Sequence, residues 1–203
     1  MGYFPFFIDI ENKKILVVGG GRVASRKIEK LSMFNPQITV VAPQVCDEIR
    51  TFRNLIVNER NFMDDDINGC FAVVSATNDG RLNEHIFELC RERKCPVNTV
   101  DNKELCTFIF PAIAKSENAA VAVSTEGKSP LSARYLREKN EEILSGSLDV
   151  TIELLGRVRE YVKQRLDTEE KRKDAFERIF KLSLCSSSEV TEGQIENIIE
   201  DLK

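Results

Sequence analysis

The stretch KKILVVGGGRVASRKIEKL, residues 13–31, decides the fold class of this chain. Four apolar residues lead directly into three glycines, and a helical pattern follows at once. Gly19, Gly21 and Ala24 form a G-x-G-x-x-A pattern: a glycine for the tight turn, a glycine for close approach to a pyrophosphate, and a small residue for helix–strand packing. The stretch therefore predicts a dinucleotide site in a Rossmann-like parallel sheet. A glycine turn without a ligand and an S-adenosylmethionine site are the alternatives.

The start of this helix supplies further cofactor candidates. Arg22 and Val23 are its first residues, where backbone N–H groups are free to bind an anion. The acidic residue that usually holds the ribose is missing, because the second strand runs ITVVAPQVC and meets no acid before Asp47. The backbone around Pro43 and the side chain of Gln44 are the groups that can bind the ribose hydroxyls, which suits NAD and leaves NADP unsupported.

Composition narrows the class of protein. The 203 residues are 42% hydrophobic and 31% charged, as in an ordinary globular protein, and a net charge of -4 gives no general attraction to nucleic acid. No apolar run approaches the roughly 18 residues of a membrane span, and the N terminus lacks a basic signal region. We therefore expect a cytoplasmic protein that binds neither nucleic acid nor membrane.

Six cysteines form no CxxC pair and do not cluster with His85, the single histidine. We expect reduced thiols packed mostly in the core, no metal site, and a structural or surface role for His85.

Apolar strands alternate with helical patterns in units of about 30 residues, which predicts a doubly wound parallel sheet. Strands are expected at residues 14–18, 38–42, 55–59, 71–76 and 97–100, and helices at residues 22–34, 47–52 and 78–94. The first helix is expected to turn Val23, Ile28 and Leu31 inward. Residues 3–10 (YFPFFIDI) are predicted to pack under the sheet.

After this sheet the pattern changes. The stretch FIFPAIAKSENAAVAVST predicts two antiparallel strands, and Ser129 and Pro130 suit the N-cap and first position of a helix. Beyond Gly146 the chain is predicted to be helical to its end. We divide it into a Rossmann-like domain (1–112), a strand–helix element (113–146) and a helical C-terminal domain (147–203).

Five motifs follow one another along the chain: YFPFFIDIENKKILVVGGGRVASRK, ITVVAP, VSATND, VNTVDNKELCTFIFPA and STEGKSPLSARYLRE. Together they resemble the precorrin-2 dehydrogenase family of siroheme synthesis, which includes the N-terminal module of bifunctional siroheme synthases. The resemblance is strong to about residue 145 and looser over the helical tail. That family also carries a VVAP-like sequence where the ribose-binding acid is expected, so the missing acid is a family trait.

The resemblance implies an NAD domain, a dimerisation element (113–146) and a homodimer. The implied reaction is NAD-dependent oxidation of precorrin-2 to sirohydrochlorin. Some members of the family also insert ferrous iron as a second substrate.

Asp101 is the candidate catalytic residue. It follows the strand VNTV at the carboxyl edge of the sheet, where such folds bind ligands, and the family's catalytic aspartate falls on this position. A carboxylate there can accept the proton lost as hydride leaves for the nicotinamide, and a turn cap is the alternative. Asn98 and Thr99 on the same strand, and Thr77 after the preceding one, are candidates to place cofactor or substrate, with core or cap roles as the alternatives.

The loop before the helix of residues 130–143 is the candidate substrate site. Precorrin-2 carries eight carboxylates, so an acidic protein needs local cations to bind it. Lys128 and Arg134 are those candidates, and Ser129 matches a serine of the family's GxSP loop near the tetrapyrrole site. A solvated basic face and a helix N-cap are the respective alternatives.

Two other functions compete with the dehydrogenase. A regulatory NAD-binding module needs neither a catalytic carboxylate nor a GKSPLSAR-like loop. A methyltransferase usually carries an acid at the end of the second strand, where this chain has Ala42, Pro43 and Gln44.

Overall fold

The computed structural model describes residues 2–186 and 189–203. Met1, Ser187 and Ser188, which the predicted first and third domains include, lie outside the described residues. The chain divides into two compact units, one ending at Phe110 and one beginning at Pro111. The three-domain division at residues 112 and 146 stays a prediction.

The first unit is built on a five-stranded parallel sheet with the strand order β3–β2–β1–β4–β5. Its strands are β1 (Lys14–Val18), β2 (Gln37–Val41), β3 (Leu55–Asn58), β4 (Ala72–Ser75) and β5 (Val97–Thr99). The connecting helices are α1 (Arg22–Ser32), α2 (Asp47–Arg50) and α3 (Gly80–Glu92). The predicted doubly wound α/β fold is confirmed, with element ends displaced by one or two residues at most places.

The sheet is buried on both faces because its strands are apolar at successive positions. Ile15 and Val17 of β1 pack with α1, whereas Leu16 and Val18 pack with α3. The strand order reverses beside β1, since β2 and β4 flank it. In parallel sheets the crevice at the carboxyl ends of such strands is where ligands bind.

The prediction for residues 3–10 is wrong. Phe4, Phe6 and Phe7 are each at least 75% exposed, and Ile10 is the residue of this stretch that packs against the α1-side core. The segment forms neither helix nor strand, so no regular spacing turns its aromatic side chains toward the sheet.

The predicted inner face of α1 needs one correction. Ala24, Ile28 and Leu31 are buried, but Val23 is 41% exposed. Spacings of three and four residues from Ala24 define the buried stripe, and Val23 lies one position off it.

The second unit begins with the antiparallel pair β6 (Ala112–Lys115) and β7 (Ala120–Val123). Helix α4 (Pro130–Ile143) follows, with Ser129 as its N-cap, and the chain kinks at the non-helical Gly146. Helices α5 (Asp149–Arg165), α6 (Glu169–Cys185) and α7 (Glu192–Glu200) then pack around a shared apolar core. In the described residues, no helix is both long and apolar enough to cross a bilayer.

Candidate functional site

The glycine turn after β1 is held from two sides. A β-carbon on Gly19, which has φ of +125°, would lie 2.3 Å from the Ala76 carbonyl oxygen. A β-carbon on Gly20 would lie 1.9 Å from the Gln44 carbonyl oxygen. Only glycine therefore fits at both positions, and the turn is packed between the end of β4 and the loop after β2.

The third glycine faces open space. A β-carbon on Gly21 would meet no atom within 4 Å, so the missing side chain leaves room for a ligand against the backbone. Gly21 is also the N-cap of α1, and it supplies no side-chain cap. The first N–H groups of a helix lack intrahelical partners and carry the positive end of its dipole. With no acidic residue in that first turn, this end of α1 is free to bind a pyrophosphate.

Four of the predicted cofactor residues lie around the glycine turn. Arg22 and Val23 are exposed at the start of α1, and the Arg22 Nε atom lies 3.7 Å from Glu48. Pro43 and Gln44 are exposed on the loop after β2, which is fastened to the turn where Cys46 N donates to Gly20 O at 2.8 Å. The residues present fit a nicotinamide dinucleotide. The usual ribose-binding acid is missing, but the loop of Pro43 and Gln44 lies beside the turn.

Thr77 is beside the same turn but its hydroxyl is already engaged. Asn83 Oδ1 accepts hydrogen bonds from both Thr77 and Ser75 at 2.7 Å, and Asn83 Nδ2 donates to Thr77 O at 3.1 Å. The cap of α3 is Asp79, which accepts from the N–H groups of Arg81 and Leu82. Any contact of Thr77 with the cofactor therefore falls to its backbone, whose nitrogen lies near Gly19.

Asp101 lies on an exposed loop just beyond β5 and has φ of +59°. This left-handed conformation is uncommon for a residue with a side chain and persists where the surrounding structure imposes it. The loop that contains Asp101 is closed by a segment that returns beside β5. Cys106 Sγ accepts from Thr99 N at 3.1 Å, and Thr107 N donates to Val97 O at 2.8 Å.

Two buried acceptors lie on β5 near Asp101. Asn98 Oδ1 and Thr99 Oγ1 have no hydrogen-bond partner in the described chain, and the two residues are only 6% and 3% exposed. The Asn98 amide is oriented by Nδ2, which donates to Phe108 O at 3.0 Å. Buried polar groups are normally paired, so a ligand or water is the expected partner: a donor for Asn98 Oδ1, and a donor or an acceptor for the Thr99 hydroxyl.

Sequence reasoning missed Lys27. Its ammonium lies 4.1 Å from the centre of the Phe110 ring, and burial lowers its pKa. The available signal was its spacing: Lys27 is three residues after Ala24 and one before Ile28, at the margin of the buried stripe.

The predicted substrate residues lie in the second unit. Ser129 Oγ accepts from Ser132 N at 3.2 Å as the cap of α4, and its backbone N–H donates to Thr125 Oγ1 at 3.3 Å. Lys128 is exposed on the loop, and Arg134 Nε donates to Glu138 at 2.8 Å within α4. The site roles of these three residues stay predictions.

Two further expectations concern the single histidine and the six cysteines. His85 is exposed and its Nε2 lies 2.8 Å from Asp64 Oδ1, consistent with a surface role. All six cysteines are free. Cys90 and Cys95 are buried, and Cys46 and Cys70 are partly buried and pack against the two cores of the sheet, so four of the six are in or against the core as expected. Cys106 is half-buried and Cys185 is exposed.

The reversed strand order, the glycine turn held between two loops and the uncapped start of α1 define a dinucleotide-binding protein of the Rossmann-like class. A family model described as putative NAD(P)-binding matches residues 6–112, and the chain belongs to that family. This membership supports the expected NAD cofactor.

Similar proteins extend over the whole chain. A siroheme synthase of Vesicomyosocius okutanii is 37% identical over 206 residues, covering 100% of this chain and 44% of the relative. One of Blochmanniella pennsylvanica is 40% identical over 183 residues, covering 89% of this chain and 38% of the relative. The chain thus spans less than half the length of these curated relatives.

A solved structure named SirC, precorrin-2 dehydrogenase, shares the fold with a TM-score of 0.72. It is 22% identical, and the match covers 98% of each chain. The fold expected from the resemblance therefore extends to the helical tail, over which the motifs were weaker.

Proposed function

We propose that this chain oxidises precorrin-2 to sirohydrochlorin with NAD in the synthesis of siroheme. The observation that carries the proposal is the edge of the sheet at β5. A carboxylate held in a left-handed conformation, Asp101, adjoins two buried acceptors, Asn98 Oδ1 and Thr99 Oγ1. The sheet belongs to an NAD(P)-binding family, and the names of the relatives and of the solved neighbour fit this chemistry.

Different residues of the first unit bind different parts of NAD. The uncapped N–H groups of α1 hold the pyrophosphate, with Gly21 leaving room for it. The loop of Pro43 and Gln44 binds the ribose, and the absence of an arginine there favours NAD over NADP. NAD, when bound, supplies the acceptor for the hydride.

Asp101 is the proton acceptor. Oxidation removes a hydride and a proton from precorrin-2, so a base must take the proton at the carbon–nitrogen framework of the tetrapyrrole. An exposed carboxylate on a constrained loop is available for this without first breaking a protein contact. In the second unit, Lys128, Ser129 and Arg134 are the residues proposed to bind carboxylates of precorrin-2, the serine through the start of α4.

The test is an anaerobic assay with precorrin-2 and NAD that follows NADH and sirohydrochlorin absorbance. Asp101→Asn keeps the shape of the side chain and removes the base, so the rate should fall about 100- to 10,000-fold. The rise in melting temperature with NAD should be unchanged, because the glycine turn is intact. Glu104→Gln, an exposed acid on the same loop, is the matched control and should keep the wild-type rate.

Each alternative has a distinct outcome. A wild-type protein that gains stability with NAD but never reduces it is a regulatory module. One that gains stability with S-adenosylmethionine instead of NAD is a methyltransferase. Either outcome would end the dehydrogenase proposal.

Iron insertion is a second candidate activity, favoured by the name siroheme synthase among the relatives. Ferrous iron is then a substrate, and Asp101 is the group that takes protons from the pyrrole nitrogens. The test is anaerobic incubation of sirohydrochlorin with ferrous iron, in which siroheme should form faster with the wild type than with Asp101→Asn. No acceleration over buffer would exclude iron insertion, and equal accelerated rates for the wild type and Asp101→Asn would exclude the role of Asp101 in it.

We also propose a homodimer formed through the second unit. Leu131, Tyr135 and Ile143 of α4 are 57–79% exposed, and β6 and β7 form a two-stranded sheet with open edges. Large exposed apolar side chains and unpaired strand edges are typical of surfaces that a partner covers.

A further inference from the structure

Lys27 lies on the side of α1 that faces the sheet. Its helical neighbours Ala24 and Ile28 are fully buried, and its ammonium is 4.1 Å from the centre of the Phe110 ring. Phe110 in turn packs against the core on that side of the sheet. The charged group is therefore half removed from water by fixed neighbours.

This ammonium has unused hydrogen-bonding capacity. In the part of the chain that the structure describes, it makes the ring contact but no hydrogen bond or ion pair. A lysine ammonium carries three donors, and a half-buried charge without a partner is unfavourable. The arrangement is typical of a cation whose partner is an anionic ligand.

The electrostatics identify the surface that Lys27 faces. Burial lowers its pKa, and Lys30 on the same helix acts in the same direction, whereas Cys106 and Asp101 oppose the shift. Both opposing groups belong to the loop after β5. The ammonium is thus within electrostatic range of the candidate catalytic loop, and its ring contact is with Phe110, which follows that loop along the chain.

The anion is not the pyrophosphate. Lys27 is six positions after Gly21, so it lies roughly 9 Å along the helix from the end that binds phosphates. Precorrin-2 offers eight carboxylates around its ring, and one of them can reach a cation beside the reacting edge.

We propose that the Lys27 ammonium binds a carboxylate of the tetrapyrrole next to Asp101, which makes Lys27 a specificity-determining residue. This inference rests on the proposed function. It assigns a substrate contact within the NAD-binding unit.

The test compares Lys27→Met, which keeps the apolar stem, with Lys27→Arg, which keeps the charge. Sirohydrochlorin binding under anaerobic conditions, NAD binding and the KM for precorrin-2 are measured for each. Lys27→Met should weaken sirohydrochlorin binding and raise the KM about ten- to one-hundred-fold, without changing NAD affinity. Arg26→Met removes a cation from the exposed neighbouring position and should change neither sirohydrochlorin binding nor the KM for precorrin-2.

The pH dependence separates a charge from a structural role. Because the pKa of Lys27 is lowered, wild-type affinity for sirohydrochlorin should decline as the pH rises through that value. The same decline should be absent in Lys27→Arg, whose guanidinium stays charged. Cys106, whose pKa burial raises, and Asp101 are unaltered in both variants.

Equal sirohydrochlorin affinity in wild type and Lys27→Met would overturn the inference while leaving the dehydrogenase intact. Loss of NAD affinity in Lys27→Met would assign Lys27 to the cofactor and also overturn it. A wild type that binds sirohydrochlorin but does not reduce NAD would instead defeat the proposed function. In that case the comparison of sirohydrochlorin affinity between the wild type and Lys27→Met would still decide the role of Lys27.

Discussion

Gly20 is the most tightly packed residue of the glycine turn. The Gln44 carbonyl occupies the position where its side chain would begin, and Cys46 donates to its carbonyl oxygen. These contacts fasten the ribose-side loop to the pyrophosphate-binding end of α1. The residue therefore links two parts of one cofactor site through backbone contacts alone.

We expect Gly20→Ala to lower the free energy of unfolding by about 1–3 kcal/mol and to weaken NAD binding, because the loop of Gln44 must move away. Gly156→Ala is the matched control. Gly156 is exposed in the interior of α5, and no atom lies within 4 Å of its β-carbon position. Alanine at this position should therefore raise the free energy of unfolding by about 0.5–1 kcal/mol. Urea unfolding and NAD titration measure both effects. Equal stability of the two variants would contradict the packing argument.

The sequence allowed the position of Asp101 to be predicted but not its conformation. Its place after an apolar strand, together with the motif resemblance, indicated a ligand edge. The loop that contains Asp101 is closed by Cys106, Thr107 and Phe108, which return beside β5. The unpaired state of Asn98 depends on that same return, and such long-range pairing has no local sequence signal.

At the scale of elements, continuous apolar runs were sufficient to predict the central strands β1 and β4, whereas β5 (VNT) was predicted from its place in the alternation of strands and helices. A strand buried on both faces needs nothing more than such a run. The aromatic segment at residues 3–10 was misjudged because hydrophobicity alone does not specify what a segment packs against. Only Ile10 reaches the core, next to the start of β1.

Helix α1 offers a direct test of anion binding at its N terminus. Val23→Asp places a carboxylate in the first turn, and Val23→Asn, whose side chain has nearly the same shape without the charge, is the control. In the absence of NAD, the free energy of unfolding of Val23→Asp should exceed that of Val23→Asn by about 0.3–1 kcal/mol. The same charge should repel the pyrophosphate and weaken NAD binding about five- to ten-fold at low salt. Because Val23 is exposed, neither variant disturbs the core.

Calorimetric titration at low and high salt measures the difference between the two variants. The difference should shrink as salt screens the charge. If Val23→Asp and Val23→Asn bind NAD equally at low salt, the pyrophosphate does not lie at this helix end.

The short helical turn Asp64–Ile67 is held by an ion pair that should give stability a specific pH dependence. Arg60 donates two hydrogen bonds to Asp66, at 2.6 and 2.8 Å, and these bonds lower the pKa of Asp66. A lowered folded-state pKa means that the contribution is present above the ordinary aspartate value of about 3.9 and is lost as the pH falls through the folded value.

Asp66→Asn should therefore lower the urea midpoint at pH 7, and the difference from wild type should close as the pH drops below about 3.9. Asp65→Asn, at a neighbouring carboxylate that makes no ion pair among the described residues, is the control. Parallel pH profiles for the two variants would contradict the assignment to the Arg60 pair.

At the scale of the molecule, the parallel sheet and the helical second unit bury their apolar side chains in separate cores. Each buries its own core, the sheet between α1 and α3 and the tail among α5, α6 and α7. The helical periodicity of the tail was sufficient to predict helices there. Helix α5 buries Thr151, Leu154, Val158 and Val162, whose spacing of three or four residues is typical of one helix face.

The apolar surface of α4 gives the last prediction, that the chain is a homodimer in solution. Light scattering at micromolar concentration should give twice the 23.1 kDa mass of the chain. Leu131 and Tyr135, 79% and 60% exposed, lie one helical turn apart, so replacing both with glutamate should repel a second copy and yield monomers. Ile56→Glu, at a 61% exposed apolar residue of β3 in the other unit, should leave the dimer intact. A monomeric wild type would refute the dimer, and a dimer that survives the α4 double variant but not Ile56→Glu would move the interface to the sheet edge.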